Sequence, residues 1–273
     1  MNVGWADADT DSPVLLVEDQ RHVRVITINR PRVLNAVNLA VSFALGDAVE
    51  EAHHDPNIRV VVLTGSGDRA FCAGADLKAA ANGEKYVSDD PQRESWGFAG
   101  YVAHGIDKPT IAAVNGLALG GGAEIAMASD IVVATEGAVF GLPEVSRGIL
   151  ASGGGAFRIV NQVPPKVAME MLLTGAPITA ERAYELGLVN HVVPVGEALP
   201  VALRLADVIA SHAPLAVQAS KRIALGVRGR ERMNEVTSWD LSNLEWGSIV
   251  KSNDAQEGPR AFAEKRPPVW TAT

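Results

Sequence analysis

The sequence predicts an α/β fold with a largely parallel sheet, followed by a helical C-terminal section. Three continuous apolar runs, at 60–63, 110–114 and 131–134, are separated by stretches with helical periodicity. Runs of this kind are typical of strands that are covered on both faces. Strands that alternate with helices imply right-handed crossovers and parallel pairing. We therefore predict an α/β core over residues 1–200 and a helical region over residues 201–273.

The first predicted elements are an antiparallel hairpin and a helix. β-Branched runs at 14–17 and 22–29 flank the polar pair Asp19-Gln20, which is the expected turn. Asn38 is a suitable N-cap for the helix, which should end near residues 53–56. One face of that helix is apolar, with Val41, Leu45, Ala48, Val49 and Ala52.

The rest of the chain contains one long polar loop and then mostly helical signals. The loop at 79–91 is either a lid or a surface excursion. Thr179 caps a short predicted helix that Gly187 ends. Ser211 with Pro214 marks the start of a later helix. The preceding helix has an apolar series made of Val201, Leu203, Leu205, Val208 and Ile209.

Composition sets limits on the partners and the location of the protein. The 273 residues, 47% of them hydrophobic, are enough to bury a full core. A net charge of −8 argues against nucleic acid or an anionic membrane as partner. The single cysteine, Cys72, excludes an internal disulfide and fits a small buried residue in a reducing cytoplasm. Residues 1–13 lack a signal-peptide pattern and no stretch is apolar enough to span a bilayer, so we expect a cytoplasmic protein. The histidines lack the spacing of metal ligands, so we expect no bound metal.

The segment FCAGADLK, at 71–78, contains three small residues in a row. Ala73, Gly74 and Ala75 let the backbone approach a ligand and leave an NH group to donate a hydrogen bond. The alternative is a tight turn that needs glycine only for its dihedral angles. We expect Asp76 to fix the turn at Ala75 rather than to react.

The segment GLALGGGAE, at 116–124, places a glycine run between a predicted strand and a predicted helix. Such a run leaves unpaired NH groups and the positive end of the helix dipole in one place. The nucleotide-binding loop fits poorly because its lysine and hydroxyl residues are missing, and the dinucleotide fingerprint lacks its later acidic residue. An NH group from about Gly121 and one from about Ala75 would instead make a two-donor oxyanion hole.

Two glutamates follow these turn-forming segments in apolar surroundings. Glu124 lies in the first turn of a predicted helix, where a carboxylate also interacts favourably with the helix dipole. Glu144 follows Pro143 in FGLPE, where it is otherwise an ordinary residue at a helix start. A buried carboxylate is costly unless it has a purpose, which favours a functional interpretation of both. Two acids beside a carbonyl held by NH groups are what the addition of water to an activated double bond requires.

Taken together, these segments resemble the enoyl-CoA hydratase/isomerase (crotonase) superfamily, from the hairpin to the C terminus. The resemblance implies a ClpP-like spiral of ββα units with a helical C-terminal trimerisation region, assembled as a trimer or as a hexamer of two trimers. It also implies an acyl-CoA thioester substrate, with coenzyme A as part of the substrate rather than a cofactor, and a place in fatty acid metabolism through β-oxidation. The matching blocks are NRPRVLNAV at 29–37, FCAGADLK at 71–78, GLALGGGAE at 116–124, FGLPE at 140–144 and EGPRAFAEKRPP at 257–268.

The resemblance assigns roles to individual positions. Ala75 and Gly121 match the oxyanion-hole NH donors, Glu124 the base that activates water, and Glu144 the proton donor to the α-carbon. The remaining matches concern coenzyme A, which is polyanionic and needs local cations on an acidic protein. They are Ala73 and Asp76 beside the oxyanion hole, Arg32 and Lys78 at the phosphates or nucleotide, and Phe262 and Lys265 as residues lent by a neighbouring subunit.

The first hypothesis for function is therefore the syn hydration of a trans-2-enoyl-CoA. Segments around FCAGADLKAAANGE and at the C terminus are also similar to carnitinyl-CoA dehydratases and to hydratases of steroid side chains. Residues 151–154 differ from the proline and glycines of many hydratases, which leaves the shape of the acyl pocket open. The alternatives are carnitinyl-CoA dehydration, double-bond isomerisation, which often needs only one acid, and a non-catalytic role in binding coenzyme A or RNA. RNA binding is disfavoured because the helix at 38–54 has no Lys or Arg.

Overall fold

Two sheets covered by helices form the protein. The computed structural model describes residues 12–77, 79 and 90–273. The strands of the larger sheet are β1 (Leu15–Gln20), β2 (Val23–Ile28), β3 (Val60–Gly65), β5 (Thr110–Val114), β7 (Ile131–Thr135) and β10 (His191–Val193). They lie in the order β1-β2-β3-β5-β7-β10, where β1 and β2 pair antiparallel and the other neighbours pair parallel.

A smaller sheet stands beside the first and ends at the turn-forming segments. Its strands are β4 (Ala70–Cys72), β6 (Leu117–Leu119), β8 (Val139–Gly141) and β9 (Ile178–Thr179). β4, β6 and β8 are parallel neighbours, and β9 pairs antiparallel with β8. The carboxyl ends of parallel strands meet at one edge of a sheet, so the three segments that follow β4, β6 and β8 are brought together.

Helices cover both sheets and form the C-terminal section. A further two-stranded ribbon consists of β11 (Val227–Arg228) and β12 (Glu231–Arg232). The helices are α1 (Leu39–His54), α2 (Pro91–Ser95), α3 (Gly121–Ala128), α4 (Gly155–Gln162), α5 (Pro165–Thr174), α6 (Ala180–Glu185), α7 (Ala198–Ser211), α8 (Pro214–Leu225), α9 (Val236–Ile249) and α10 (Asn253–Glu264). Short 3-10 helices span Pro31–Val33, Phe98–Gly100 and Pro143–Arg147.

The predicted hairpin is confirmed, but its turn lies two residues later than expected. β1 and β2 pair in a register that places Asp19 opposite Arg24, and these side chains form an ion pair with an Nε–Oδ1 distance of 2.8 Å. Asp19-Gln20 therefore belongs to a strand, and the turn is Arg21-His22. Arg21 adopts the left-handed conformation, with φ of 57°. The polarity of Asp19 indicated a turn, but a cross-strand partner gives the same polarity a place in the sheet.

The predicted helix after Asn38 is confirmed as α1. The Asn38 side chain accepts a hydrogen bond from the Val41 amide at 3.1 Å, as an N-cap does. The five apolar positions predicted for its inner face are all buried. The Thr179 cap on α6 is confirmed in the same way, and Gly187 follows the end of that helix with a positive φ.

The helices near residue 200 differ from the prediction in two respects. Ser211 is the last residue of α7, and α8 starts at Pro214 with Ala213 as its N-cap residue. The larger apolar residues predicted to pack inward are only partly buried, and Val208 is exposed. A stripe of small residues faces the larger sheet instead, because alanine lets a helix approach a sheet closely. That stripe is Ala198, Ala202, Ala206 and Ala210.

The predicted division at residue 200 falls inside α7, which packs on β3, β5 and β7. The division into a core and a C-terminal region thus stays a prediction. Among the residues described, no helix by itself is long and apolar enough to cross a membrane. The pair α7 and α8, bent by 109°, meets that criterion only when the two are taken together, and only by length and composition.

Candidate active site

The segment after β4 forms a parallel β-bridge between Ala75 and Val37, and this bridge does not use the Ala75 amide. Val37 donates to the Gly74 carbonyl and Asp76 donates to the Val37 carbonyl, both at 2.8 Å, so that Ala75 pairs with Val37. The Ala75 amide points away from this bridge and has no acceptor among the described residues. It is therefore available to a ligand, and its predicted part in an oxyanion hole stays a prediction.

The segments after β4 and β6 touch at Gly74 and Gly121. Gly74 has a φ of 91°, and a β-carbon on it would lie 2.9 Å from the Leu119 carbonyl oxygen and 3.1 Å from the Gly121 nitrogen. Glycine is thus required at position 74 both for its conformation and for this close approach. Gly121 is the first residue of α3, where amides have no partner inside the helix, and its amide has no backbone acceptor among the described residues. The contact places the free amides of Ala75 and Gly121 at one spot.

An aromatic ring covers the start of α3. A β-carbon on Gly121 would overlap Cε1 of Phe98, so the ring lies directly against the Gly121 backbone. Phe98 belongs to a 3-10 helix in which Ala99 is fully buried and has a φ of 61°. A non-glycine residue with positive φ is strained and persists only where its surroundings hold it. The ring restricts access to the free amide of Gly121.

Glu124 is buried in the first turn of α3 and held by a neighbouring turn. It is only 4% exposed, and its Oε1 accepts a hydrogen bond from the Gly155 amide at 2.9 Å. Burial raises the pKa of Glu124 to about 7, although the Gly155 amide, the charge of Arg158 and the Gly153 amide act in the opposite direction. Glu124 can therefore be ionised near neutral pH.

Glu144 approaches the same place from the segment after β8. Its Oε1 would lie 3.1 Å from a β-carbon on Gly120, and its Oε2 is buried with no hydrogen-bond partner among the described residues. Burial, and next the negative charge of Glu124, raise the pKa of Glu144 to about 8. The electrostatic interaction between the two carboxyl groups shows that they share one site, where the charge of one disfavours ionisation of the other.

The structure thus brings together four of the predicted residues: Ala75, Gly121, Glu124 and Glu144. Two unpaired amides lie at the end of the β4–β6 pair, and two carboxyl groups with raised pKa values stand beside them. Such an arrangement can stabilise a negative charge on a carbonyl oxygen while one acid gives a proton and the other takes one.

The other residues predicted near the oxyanion hole have different surroundings. Asp76 forms an ion pair with Arg30 at 2.9 Å, and both side chains are largely buried. Asp76 also accepts from the Ala79 amide, so it holds this turn in place. Ala73 is half-buried beside Gly74, and Arg32 is exposed in the 3-10 helix before α1. Lys78 lies outside the described residues, as does most of the predicted loop at 79–91.

One of the two predicted C-terminal residues, Phe262, contacts the segment that carries Glu144 in the same chain. The guanidinium of Arg147 stacks over the ring of Phe262 with 4.3 Å between Cζ and the ring centroid. Lys265 is exposed and ends α10 in the left-handed conformation. Whether a neighbouring subunit receives these two residues stays a prediction.

Sequence reasoning missed the turn that holds Glu124. Residues 151–154 were noted only as a departure in the acyl region, yet the amides of Gly153 and Gly155 act on the Glu124 carboxylate. A run of three glycines before a helix is the same signal that identified the segment at 120–122, and it could have indicated an anion site here too. Within the described part of the chain, no group of three or more metal-ligating side chains comes together.

Comparison with known proteins gives one family over almost the whole chain. A family model described as enoyl-CoA hydratase/isomerase matches residues 18–273. The carnitinyl-CoA dehydratase of Salmonella enteritidis PT4 is 43% identical over 249 residues, which cover 90% of this chain and 93% of that protein.

Solved structures agree with this result. The carnitinyl-CoA hydratase of Mycobacterium avium is similar with a TM-score of 0.92 and 56% identity, covering 95% of this chain and 99% of that one. An enoyl-CoA hydratase of Mycobacterium tuberculosis is similar with a TM-score of 0.74 and 45% identity, and the match covers 96% of this chain and 100% of that one.

Proposed function

This chain belongs to the enoyl-CoA hydratase/isomerase family and is a hydro-lyase with the crotonase fold, and we propose that it adds water to a trans-2-enoyl-CoA thioester. The product is the 3-hydroxyacyl-CoA. The observation that carries the proposal is the pair of buried acids, Glu124 and Glu144, with raised pKa values beside two unpaired amides.

In the proposed reaction, the thioester carbonyl accepts hydrogen bonds from the amides of Ala75 and Gly121. Polarisation of the carbonyl makes the β-carbon electrophilic, and the amides stabilise the negative charge that reaches the oxygen as water attacks. Each such donor typically contributes about 3 kcal/mol to lowering the barrier. Both amides are fixed by the backbone, so little reorganisation is needed during the reaction.

The two acids divide the proton transfers between them. Ionised Glu124 takes a proton from water while the water oxygen bonds to the β-carbon, and protonated Glu144 gives its proton to the α-carbon. The oxygen and the new hydrogen therefore add from the same side of the double bond. This division needs Glu144 to hold its proton at a pH where Glu124 has lost its own. The Gly155 amide and the charge of Arg158 favour ionised Glu124, whereas Oε2 of Glu144 has no hydrogen-bond partner among the described residues.

Coenzyme A would be bound through its own charges, as part of the substrate. We assign its phosphates or nucleotide to Arg32 and Lys78 and its further contacts to Phe262 and Lys265. The position of Phe262 supports this assignment because its ring contacts Arg147, the last residue of the 3-10 helix that carries Glu144. No metal and no separate cofactor take part in this mechanism.

A second candidate is the dehydration of carnitinyl-CoA or the reverse hydration. It uses the same atoms and the same two acids, and differs only in a trimethylammonium group on the acyl chain. The similarity to proteins named carnitinyl-CoA dehydratase and carnitinyl-CoA hydratase favours it. Fatty acid β-oxidation remains the proposed context only if unbranched fatty enoyl-CoA thioesters are the better substrates.

We propose further that the protein assembles as a trimer or a dimer of trimers and works in the cytoplasm. Several large apolar side chains on α8 and α9 support assembly because they are exposed in the single chain: Leu215, Ile223, Leu241 and Leu244. The single buried cysteine supports a reducing compartment.

The test is a panel of enoyl-CoA thioesters with short, long, branched, steroid and crotonobetainyl acyl groups. We expect loss of the conjugated enoyl absorbance and a product heavier by one water. Faster turnover of the crotonobetainyl thioester than of the fatty thioesters would select the carnitinyl reaction. Incubation with a 3-enoyl-CoA that gives only a shifted double bond, and never a hydroxyacyl product, would replace hydration by isomerisation.

A further inference from the structure

Arg158 is a buried cation one turn beyond the glycines that hold Glu124. It lies on α4, and its side chain is only 4% exposed. Its guanidinium makes a two-pronged ion pair with Glu235, with Nε–Oε1 at 3.1 Å and Nη2–Oε2 at 2.7 Å. A buried arginine with one carboxylate partner is costly to form, so its position calls for an explanation beyond stability.

The third nitrogen of Arg158 faces the turn beside Glu124. Nη1 is buried and has no hydrogen-bond partner among the described residues. A β-carbon on Gly154 would lie 2.9 Å from this nitrogen, and the two flanking glycines are those whose amides act on Glu124. The guanidinium thus lies directly behind the turn that binds the carboxylate.

Two partly buried aromatic rings flank the Arg158 guanidinium. The centroids of the Phe157 and Trp239 rings lie 5.5 and 5.4 Å from the Arg158 guanidinium carbon. The two rings also pack edge to face against each other at 4.9 Å. Because the Arg158 side chain is only 4% exposed, its charge acts more strongly on its neighbours than a charge in water would.

Few charges compete with Arg158 around the two acids. Among the described residues, the charged groups that act on Glu124 are Arg158 on α4 and Glu144 on the 3-10 helix after β8. Glu235 lies behind Arg158 and is also approached by Arg232 at 3.4 Å. The positive charge of Arg158 therefore favours the ionised form of Glu124, and the two acids differ in their electrostatic surroundings.

We propose that Arg158 is a positioning residue that makes Glu124, rather than Glu144, the base, and that Glu235 sets how strongly it does so. The inference rests on the proposed hydration, because that reaction needs the two acids to differ. Arg158 acts through the Gly153–Gly155 turn and through its charge, without touching the substrate.

The ion pair offers a test in which two substitutions have opposite effects. Arg158→Met removes the cation, so ionised Glu124 loses a favourable interaction. The low-pH limb of kcat/KM should therefore shift to higher pH, by about one unit. Glu235→Gln leaves the cation without its carboxylate, so the same limb moves to lower pH. Arg158→Lys keeps the positive charge but cannot form the two-pronged ion pair with Glu235. Its low-pH limb of kcat/KM should lie at the same pH as that of the wild type. If Arg158→Met does not fold, the last two variants still decide the matter.

Arg24→Met is the matched control, because Arg24 is a similarly buried arginine paired with Asp19 on the distant hairpin. It should lower the melting temperature without moving the limb. The inference is overturned if Arg158→Met and Glu235→Gln lower the melting temperature as Arg24→Met does while the limb stays in place.

A titration without substrate separates this inference from the proposed reaction. Infrared difference spectra of protein labelled with carbon-13 glutamate follow carboxylate ionisation, and Glu124→Gln identifies the band of Glu124. Opposite shifts of that band in the two variants would support the role of Arg158 even in a protein that hydrates no enoyl-CoA. Hydratase activity in a protein whose Glu124 band ignores both substitutions would overturn it.

Discussion

Gly153 lies directly against the carboxylate of Glu124, so closely that a β-carbon on the glycine would overlap Oε2. The atom in its way is the end of a side chain rather than backbone. An alanine at position 153 would therefore be accommodated by movement of the Glu124 carboxylate, at little cost to the fold. The contact makes the position of the proposed base sensitive to a single methyl group.

Gly153→Ala should thus reduce kcat/KM by about 100-fold, the loss expected when a reacting group moves by about 1 Å. The melting temperature should change little. Gly247→Ala on α9 is the matched control, because nothing lies within 4 Å of a β-carbon there. That control should keep full activity and gain up to about 1 kcal/mol in the free energy of unfolding. Equal activity of the two variants would contradict the proposed role of Glu124.

Replacement of either acid tests the division of roles. Glu124→Gln and Glu144→Gln should each lower kcat by about 100- to 10,000-fold, since each removes one proton transfer from the reaction. The measurement is the rate of loss of the enoyl absorbance under saturating substrate. Glu136→Gln, at an exposed position after β7, serves as control. Full activity in both single variants of the pair would end the assignment.

The pH dependence of kcat/KM should be bell-shaped. Activity should rise as Glu124 loses its proton, with a pKa of about 7, and fall as Glu144 loses its own, with a pKa of about 8. The two limbs belong to the interacting pair, so each single Gln variant should lose one limb from its residual activity. A profile that is flat from about pH 6 to about pH 9 would contradict the assignment.

The burial of Glu144 also makes the stability of the protein depend on pH. The pKa of Glu144 is higher in the folded protein than in the unfolded chain, so the folded state binds more protons and the free energy of unfolding falls as pH rises towards about 8. Glu144→Gln removes the contribution of Glu144 to this dependence, while that of Glu124 remains. Its melting temperature should exceed that of the wild type by about 2–4 °C at alkaline pH, for each kcal/mol of destabilisation relieved. Near pH 5, where Glu144 keeps its proton when folded, the two proteins should melt at nearly the same temperature; a constant difference across pH would contradict the prediction.

The ion pair between Asp76 and Arg30 should matter for the oxyanion hole. Asp76→Asn removes the carboxylate of this ion pair, and breaking a pair in this way typically costs about 3–5 kcal/mol when it is fully buried and less here. Because Asp76 holds the turn that presents the Ala75 amide, kcat should fall more than KM rises. The change can be read from full kinetic curves together with thermal melts. A variant with reduced stability and unchanged kcat would show that the pair serves the fold alone.

Much of the site could be predicted because each of its parts carries a local signal. Small residues at 73–75, the glycines at 120–122 and the two glutamates in apolar surroundings all indicate their chemistry within a few residues. The family resemblance was confirmed by the match over 18–273. The short strands β4, β6 and β8, each of three residues, were not predicted, since runs of that length have no measurable periodicity.

Other features depend on partners that lie far away in the sequence. Arg158 and Glu235 are 77 residues apart, and neither has a local pattern that indicates burial or pairing. The alanines of α7 were overlooked because larger apolar residues between them gave the stronger helical signal. Only the sheet decides which face of such a helix turns inward.

The close approach of α7 to the larger sheet has a consequence for how the enzyme can vary. Its alanines leave no space for a longer side chain above β3 and β5, and these strands run on towards the chain segments that present Ala75 and Gly121. A leucine at position 202 or 206 would wedge the helix away and tilt the strands beneath it. We therefore expect positions 202 and 206 to stay restricted to the smallest residues.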